Sequence, residues 1–248
     1  MQLLKISLIT VTRNAQKTLG RCIESVIAQN YSNIEYIIID GASTDDTLQI
    51  ISQHKQHIDF FVSEPDAGIY DAMNKGIRMA TGNIVGILNS DDFFAYKETL
   101  SDIATAFAND NIDVLYGNLN YINPNGSIVR KWRSGAYKPG MFNRGWMPPH
   151  PTFYCKRVLF EKWGDYKLQY GTAADYELML RFIHLNKANT YYLNKTMITM
   201  EIGGQSNKNY FNRIKAWGND YMAMRKNGVK FPLLSVVFKP ISKIFQYI

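Results

Sequence analysis

The sequence has little of what marks secreted or membrane-spanning proteins. Its 248 residues include two cysteines, Cys22 and Cys155, which form neither a CxxC pair nor a disulfide framework. The N-terminus enters a strand-like segment without a basic and apolar secretory signal, and no apolar run approaches the length of a membrane span. We therefore expect a protein of a reducing, cytosolic compartment.

A glycine-rich phosphate loop is also missing. No GxGxxG turn follows the first predicted strand, which disfavours a nicotinamide or flavin enzyme even though Asp40 ends the second strand. The net charge of +7 and the pI near 9.2 favour an anionic partner, which could be a nucleotide sugar, an anionic membrane surface or nucleic acid. Because the sequence has no recognition motif or arginine-rich stripe, we expect no nucleic-acid partner.

The first half of the chain alternates between strand and helix patterns. Amphipathic helices follow the first strands, and one runs from about Tyr70 to Ala80. This alternation predicts an α/β fold with a mainly parallel central sheet flanked by helices. The predicted strands cover residues 6–11, 34–40, 58–63 and 84–88.

The second half has an α+β character. Residues 114–122 and 128–132 predict a hairpin, and a long loop over 134–151 follows it. The tail from residue 207 to 248 is helical in pattern and mixes apolar residues with lysines, while Pro232 and Pro240 keep its helices short. The tail therefore either lies on an anionic membrane or packs on the domain.

Residues 84–92 are the most informative stretch, because an apolar strand runs directly into Asp91 and Asp92. Mg²⁺ and Mn²⁺ prefer oxygen ligands, and one or two carboxylates with a substrate diphosphate can complete their coordination. The alternative is a polar turn in which one of the two aspartates caps a helix. Since Asp40 and Asp66 also follow predicted strands, we expect all four carboxylates to meet at one edge of the sheet.

Five sequence blocks together resemble family 2 glycosyltransferases with a GT-A fold, of the branch common in bacterial polysaccharide assembly. Each block is short, but their order and spacing are specific, and the resemblance covers most of residues 5–206. It implies a GT-A domain over 1–206, with a nucleotide-sugar-binding half (1–117) and an acceptor-binding half (118–206). The blocks are SLITVTRN at 7–14, IDGASTDDT at 39–47, DAGIYDAMNKG at 66–76, NSDD at 89–92 and ADY at 174–176.

The resemblance implies a UDP-sugar donor and a Mg²⁺ or Mn²⁺ cofactor. Asp92 is the expected direct metal ligand and Asp91 its neighbour at the metal and the ribose. Many relatives have an arginine where this chain has Met73, so Lys75 either replaces it at the diphosphate or is a solvated helix residue. The remaining residues expected to bind the nucleotide sugar are Thr10, Thr12, Asn14, Asp40 and Asp66.

The resemblance also nominates Asp175 as the base that deprotonates the acceptor hydroxyl, although its place near a helix start equally suits a capping carboxylate. His150 could reach the diphosphate or the acceptor, or could be a structural hydrogen-bonding residue. Aromatic residues at 132, 146 and 154 either stack on a sugar or anchor the core. The stretch with Gly203, Gly204 and Ser206 is expected to flank the acceptor.

These expectations define a metal-dependent, inverting glycosyltransferase that moves a sugar from a UDP-sugar to a lipid-linked or growing saccharide in cell-surface polysaccharide synthesis. We expect it in the cytoplasm or peripherally on the inner face of the membrane. The alternative is a non-catalytic module that binds nucleotide sugars or glycans, which would keep the crevice but would lack a base such as Asp175.

Overall fold

The computed structural model describes residues 3–202, 210–241 and 246. One mixed sheet forms the centre of the fold, and its strands follow the order β3-β2-β1-β4-β8-β6-β9-β5, with β7 paired to β6. The strands are β1 (Ile6–Thr12), β2 (Ile34–Asp40), β3 (Phe60–Ser63), β4 (Ile84–Ile87), β5 (Asp92–Phe94), β6 (Val114–Ile122), β7 (Ile128–Trp132), β8 (Tyr154–Lys156) and β9 (Thr190–Glu201).

Helices cover both faces of the sheet. They are α1 (Leu19–Ile27), α2 (Thr47–Gln53), α3 (Ile69–Met79), α4 (Thr99–Phe107), α5 (Val158–Trp163), α6 (Ala174–Met179), α7 (Tyr210–Lys226) and α8 (Pro232–Ile241). A π-helical segment, Leu180–Leu185, continues α6. No helix in the described ranges is long and apolar enough to cross a membrane.

The parallel half of the sheet comprises β3, β2, β1 and β4, as the sequence predicts. Side chains alternate between the two faces of a strand, so β1 contributes to two cores. Leu8 lies in the core that includes α1, and Ile9 lies in the core that includes α3. Because β1 is buried on both faces, only its carboxyl end, where Thr12 pairs with Asp40, is free to form a site.

The other half of the sheet is mixed and departs in two places from the sequence prediction. β8 runs antiparallel to both β4 and β6. The long strand β9 runs parallel to β6, and their pairing shifts register. β5, which the sequence analysis did not predict, starts at Asp92 and pairs with β9. The second aspartate of the pair is therefore a strand residue rather than a loop residue.

The C-terminal helices pack on the domain. α7 contacts α6 and the 3₁₀ segment Leu168–Ala173, and α8 packs against the 3₁₀ segment Met141–Arg144. The Ser235 hydroxyl on α8 donates a hydrogen bond to the carbonyl of Asn143 at 2.6 Å. Of the two alternatives for the tail, packing on the domain is therefore observed for α7 and α8, and the outer face of α8 is considered below.

Candidate active site

The loops after β1 and β2 are joined by hydrogen bonds at the edge of the sheet. The Asn14 side chain, from a backbone with φ of 51°, accepts a hydrogen bond from the Thr44 amide at 2.8 Å. The Asp40 carboxylate is fully buried and accepts hydrogen bonds from the amide and hydroxyl of Ser43 and from the hydroxyl of Ser63. Asp40 thus shapes the loop that a nucleotide would contact, while Asn14 is exposed at its rim.

The two threonines of β1 differ in their surroundings. Thr10 is fully buried, and its hydroxyl lies 3.1 Å from the Tyr36 hydroxyl and 3.9 Å from the Cys22 sulfur. The structure therefore places Thr10 in the core below α1 rather than in the crevice. Thr12 ends the strand, and its buried hydroxyl has no hydrogen-bond partner among the residues that the structure describes.

Asp66 lies against the loop that follows β2. A Cβ atom at Gly41 would collide with the Asp66 carboxylate and would crowd the Arg13 side chain. Asp66 is partly exposed and accepts a hydrogen bond from the Gly68 amide at 2.8 Å. The absence of a side chain at Gly41 therefore lets the loops after β1, β2 and β3 meet, as expected for a nucleotide site at the ends of parallel strands.

Lys75 is engaged within the protein. Its ammonium group forms an ion pair with Glu64 at 2.8 Å and donates a hydrogen bond to the Pro65 carbonyl at 2.9 Å. The hydrogen bond to Glu64 raises the pKa of Lys75. Lys75 thus ties α3 to the loop that carries Asp66, and its role at the diphosphate stays a prediction.

Asp91 and Asp92 differ sharply in exposure. Asp92 is only 1 % exposed, whereas Asp91 remains partly exposed. One Asp92 oxygen accepts a hydrogen bond from the Asn89 amide at 2.9 Å, and the other has no partner in the described part of the chain. Burial, followed by the charge of Asp91, raises the pKa of Asp92 well above its usual range. Burial also raises the pKa of Asp91, while the charge of Arg21 opposes that shift.

This pair fits a cation only together with a substrate. No group of three or more His, Cys, Asp or Glu side chains within the described ranges could hold a metal ion by itself. However, the unpaired carboxylate oxygen of Asp92 and the unpaired amide oxygen of Asn89 are buried acceptors without a donor. Mg²⁺ uses few carboxylates, several waters and substrate phosphates, so two aspartates and a diphosphate would satisfy its preferences.

Asp175 lies in the first turn of α6, and its charge affects the pKa of three ring side chains, Tyr70, His150 and Tyr166. The helix cap is Ala173, without a side-chain cap, and the Asp175 carboxylate accepts a hydrogen bond from the Tyr176 amide at 2.7 Å. Burial raises the pKa of Tyr70, and the charge of Asp175 adds to that shift. Burial lowers the pKa of His150, while the charge of Asp175 opposes it. The charge of this partly exposed carboxylate therefore acts on the pKa of both a tyrosine hydroxyl and an imidazole.

Two of these ring side chains connect the Asp175 cluster to the strand ends. Tyr70 is the second residue of α3, directly after the Asp66 loop, and its ring centroid lies 5.4 Å from that of Tyr166. His150 precedes β8, which pairs antiparallel with β4 so that Tyr154 lies opposite Gly86. The short helix that begins at His150 contacts β4, whose carboxyl end leads to Asp91. Residues 1–117 and 118–206 thus contact each other at these residues.

Sequence reasoning missed several residues of this region. Tyr166 is hydrogen-bonded to His150, and Asn74 clamps the Tyr166 backbone, with its amide donating to the carbonyl at 2.8 Å and its oxygen accepting from the N–H at 2.9 Å. Arg21, which opposes the pKa shift of Asp91, forms an ion pair with Glu201 at 2.8 Å. Asn74 lies within the family block at residues 66–76, but no sequence motif near Tyr166 or Arg21 indicates that either belongs to the site.

The structure describes the three candidate aromatic residues but not the predicted acceptor residues near 203–206. Trp132 and Tyr154 are buried, and Trp146 packs on Tyr116 and Phe142 while donating a hydrogen bond to the Ser134 carbonyl. The core-anchor interpretation of these aromatics is therefore the one observed. The predicted acceptor residues Gly203, Gly204 and Ser206 lie outside the described residues.

Comparison with known proteins identifies the class. The model of the family described as "Glycosyl transferase family 2" matches residues 7–166. An uncharacterized glycosyltransferase of Mycobacterium tuberculosis is 33% identical over 186 residues, which cover 71% of this chain and 68% of that protein. A PGL/p-HBAD biosynthesis glycosyltransferase of Mycobacterium bovis is 30% identical over 81% of this chain and 78% of its own. The chain belongs to glycosyl transferase family 2 and is a glycosyltransferase.

A relative with a more specific name matches a shorter region. The Escherichia coli protein WfgD, named UDP-Glc:alpha-D-GlcNAc-diphosphoundecaprenol beta-1,3-glucosyltransferase, is 32% identical over 128 residues, which cover 51% of this chain and 50% of WfgD. The match includes half of each protein, so the name of WfgD describes WfgD alone.

Solved structures confirm the GT-A type of fold. S. aureus TarS 1-349 in complex with UDP-GlcNAc has a TM-score of 0.70 and 19% identity over 95% of this chain and 69% of its own. The mannosyltransferase PcManGT from Pyrobaculum calidifontis, in complex with GDP-Man and Mn²⁺, has a TM-score of 0.70 and 16% identity over 97% of this chain and 73% of its own. This chain spans 39% of a longer TarS chain.

Proposed function

We propose that this protein is an inverting, metal-dependent transferase that moves a sugar from a UDP-sugar to a lipid-linked or growing saccharide. The observation that carries the proposal is the position of Asp175. It lies in the first turn of α6, partly exposed, and its charge acts on the pKa of Tyr70 and His150, the two residues that connect the acceptor half to the strand ends of the nucleotide half. A non-catalytic binding module would not need such a carboxylate.

The donor is held where the loops after β1, β2 and β3 meet. Asp66 and Asn14 are accessible there and accept hydrogen bonds from the base or ribose, while Asp40 fixes the loop beneath them. The unpaired hydroxyl of Thr12 lies at the same edge. A uridine nucleotide is favoured because TarS is described with UDP-GlcNAc and WfgD is named for UDP-Glc, whereas PcManGT is described with GDP-Man.

Asp91 and Asp92 would hold a Mg²⁺ or Mn²⁺ ion together with the donor diphosphate. The sequence analysis expects Asp92 as the direct ligand; because Asp91 is the more accessible carboxylate, we propose Asp91 for that role and Asp92 as its buried neighbour. The bound ion would neutralise the charge that grows on the departing diphosphate, so no separate acid is required. The Mn²⁺ described with PcManGT supports this choice of cofactor.

Asp175 acts as the general base. The acceptor hydroxyl attacks the anomeric carbon from the face opposite the diphosphate, its proton passes to the Asp175 carboxylate, and the nucleoside diphosphate leaves with the bonding electrons. Configuration at the anomeric carbon is therefore inverted. The Tyr70 hydroxyl and the neutral imidazole of His150 orient the carboxylate and the incoming hydroxyl.

The acceptor is proposed to be a saccharide carried on a lipid diphosphate, in the synthesis of a cell-surface polysaccharide. The name of WfgD, which includes a diphosphoundecaprenol acceptor, supports this class. Such an acceptor would bring the protein to the cytoplasmic face of the membrane. Gly203, Gly204 and Ser206 lie outside the described residues, and their position beside the acceptor stays a prediction.

The decisive experiment measures nucleotide release from a panel of UDP- and GDP-sugars, with and without Mg²⁺ or Mn²⁺, in the presence of a lipid-linked acceptor. We expect release with one UDP-sugar, dependent on the metal. Asp175→Asn should lose transfer but keep its affinity for UDP. Asp102→Asn, which changes a carboxylate bonded to Tyr96 and Lys195, should retain transfer. Full transfer by Asp175→Asn would contradict the assigned base.

The metal assignment has its own test. Asp91→Asn should abolish the stimulation of turnover by the metal and should weaken the Mn²⁺-dependent binding of UDP. Metal-stimulated turnover that is unchanged in Asp91→Asn but lost in Asp92→Asn would return the direct ligand to Asp92. Unchanged stimulation in both variants would remove the metal site from this pair.

A further inference from the structure

Helix α8 has two apolar faces, and only one is covered. Val236 and Ser235 are buried against the domain. On the opposite side, Leu234 is 56% exposed and Val237 is 57% exposed. Because residues three and four positions apart share a helix face, these side chains form a continuous apolar stripe. This outer stripe, which includes the flanking Phe231, consists of Phe231, Leu233, Leu234, Val237 and Phe238.

The helix that carries the outer stripe is fastened to the domain. Besides the bond from Ser235 to the Asn143 carbonyl, the Lys230 amide donates to the Asn143 side chain at 3.0 Å. At Gly145 a Cβ atom would lie 2.6 Å from the Lys239 backbone, so the loop and the helix are in direct contact. The stripe is therefore displayed by a docked helix.

The exposed charges of the C-terminal segment are basic, and its one nearby acidic residue in the described ranges, Asp220, is buried and paired with Lys239. Residues 221–248 include five basic residues and no acidic residue. Arg225, Lys226 and Lys230 are exposed and have no carboxylate partner within the described ranges. An apolar stripe with cationic neighbours is typical of helices that lie in the interface of an anionic bilayer. A second copy of this chain would instead place cationic surfaces against each other.

We propose that the outer stripe of α8 docks the protein on an anionic phospholipid bilayer. The same helix also contacts α6, which carries the proposed base Asp175. Lys239 on α8 forms an ion pair with Asp220 at 2.6 Å and lies 3.8 Å from the centroid of the Tyr176 ring, the residue next to Asp175. The docked helix thus holds α6 from its outer side. This proposal goes beyond the proposed reaction, and its test needs neither donor nor acceptor.

The test is co-sedimentation of the full chain with vesicles of phosphatidylcholine alone and of phosphatidylcholine with phosphatidylglycerol. We expect binding to the anionic vesicles that weakens as salt is added. The double variant Leu234→Ser/Val237→Ser should reduce the partition coefficient roughly tenfold. Its matched control is Leu185→Ser/Val158→Ser, which changes the same residue types at 50% and 51% exposure elsewhere and should bind like the wild type.

The cationic contribution is tested separately with Lys226→Ser/Lys230→Ser. Each lysine should contribute about fivefold to the partition on anionic vesicles and nothing on neutral ones. Thermal unfolding of each variant establishes that it is folded. A wild type that does not sediment with anionic vesicles would overturn the proposal. So would a concentration-dependent dimer that is lost in Leu234→Ser/Val237→Ser while vesicle binding is unchanged, since the stripe would then belong to a second copy.

Discussion

The imidazole of His150 and the hydroxyl of Tyr166 are hydrogen-bonded, with 2.7 Å between the ring nitrogen Nε2 and the oxygen. Tyr166 is in turn held by Asn74 of α3 through two backbone hydrogen bonds. His150 therefore has a fixed ring orientation relative to α3, which carries Tyr70 in its first turn. The charge of Asp175 acts on the pKa of Tyr70, His150 and Tyr166, so this bond fixes an imidazole within the electrostatic reach of the proposed base.

Removing this hydrogen bond should slow catalysis more than it weakens donor binding. We expect Tyr166→Phe to lower kcat about tenfold while KM for the donor stays within about twofold, since a misplaced group near the reacting atoms costs rate rather than donor affinity. Steady-state kinetics with varied donor provides the measurement. Tyr170→Phe is the control, because Tyr170 is a buried tyrosine of the same segment whose hydroxyl has no hydrogen bond that we find in the described part of the chain. Equal effects of the two variants would contradict a specific role for the His150 bond.

A methyl group at Gly41 should impair nucleotide binding. The Cβ atom would displace the Asp66 carboxylate and press on Arg13, so the loops after β1, β2 and β3 could no longer meet as they do. We expect Gly41→Ala to weaken UDP binding about tenfold in calorimetry, the usual loss for one charged hydrogen bond. Gly20→Ala is the matched control, because nothing lies within 4 Å of its Cβ position on α1. UDP affinity equal to the wild type in Gly41→Ala would exclude Asp66 from the nucleotide site.

The sequence predicts the parallel half of the sheet well, for a simple reason. Strands β1 and β2 are apolar on both faces and are bounded by polar turns, so their ends can be read to within a residue. The three-residue strand β5 has no such signal, because its pairing with β9 depends on residues about a hundred positions away. That pairing decides which aspartate is buried, and a sequence pattern therefore cannot rank Asp91 against Asp92.

The candidate base was nominated by family resemblance, whereas its surroundings are purely tertiary. Tyr70, His150 and Tyr166 come from three separate parts of the chain and share no periodicity. Their contacts follow from the packing of α3 against the segment before α6, through the clamp of Asn74 on the Tyr166 backbone. Local propensity has no information about such a clamp, which is why Asn74 was recognised as part of a motif without a physical role.

Asp92 should destabilise the protein at neutral pH when no cation is bound. Its pKa is raised by burial and by Asp91, so the folded state prefers the protonated form. The sign follows: stability is greatest below the usual pKa of 3.8 and falls as pH rises toward the raised value. Asp92→Asn removes the charge and supplies an amide donor for the unpaired Asn89 oxygen. We expect Asp92→Asn to be more stable at pH 7 in EDTA by about 1–3 kcal/mol.

Urea unfolding of wild type and Asp92→Asn at pH 7 and near pH 4, both in EDTA, checks this prediction. The difference between the two proteins should shrink at the lower pH, where the wild-type carboxyl is also protonated. A difference that is independent of pH would mean that packing, and not charge, distinguishes the variants.

Glu35 should stabilise the fold through its charge. It is 1% exposed on β2 and accepts hydrogen bonds from Lys5 at 2.7 Å, from the Ser7 hydroxyl at 2.5 Å and from the Thr81 amide at 2.7 Å. Burial raises the pKa of Glu35, but these hydrogen bonds outweigh it and lower the pKa from 4.5 to about 2. The stabilisation is thus present above pH 4.5 and is lost as pH falls toward 2. We expect Glu35→Gln to lower the free energy of unfolding at pH 7 by about 2 kcal/mol.

Urea unfolding of Glu35→Gln and wild type between pH 7 and pH 2 measures this loss of stability, which should diminish in acid. Glu24→Gln, on the exposed side of α1, is the control and should change stability little at any pH. Equal stability of Glu35→Gln and wild type at pH 7 would show that the charge of Glu35 does not stabilise the contacts of β2 with Lys5, Ser7 and Thr81.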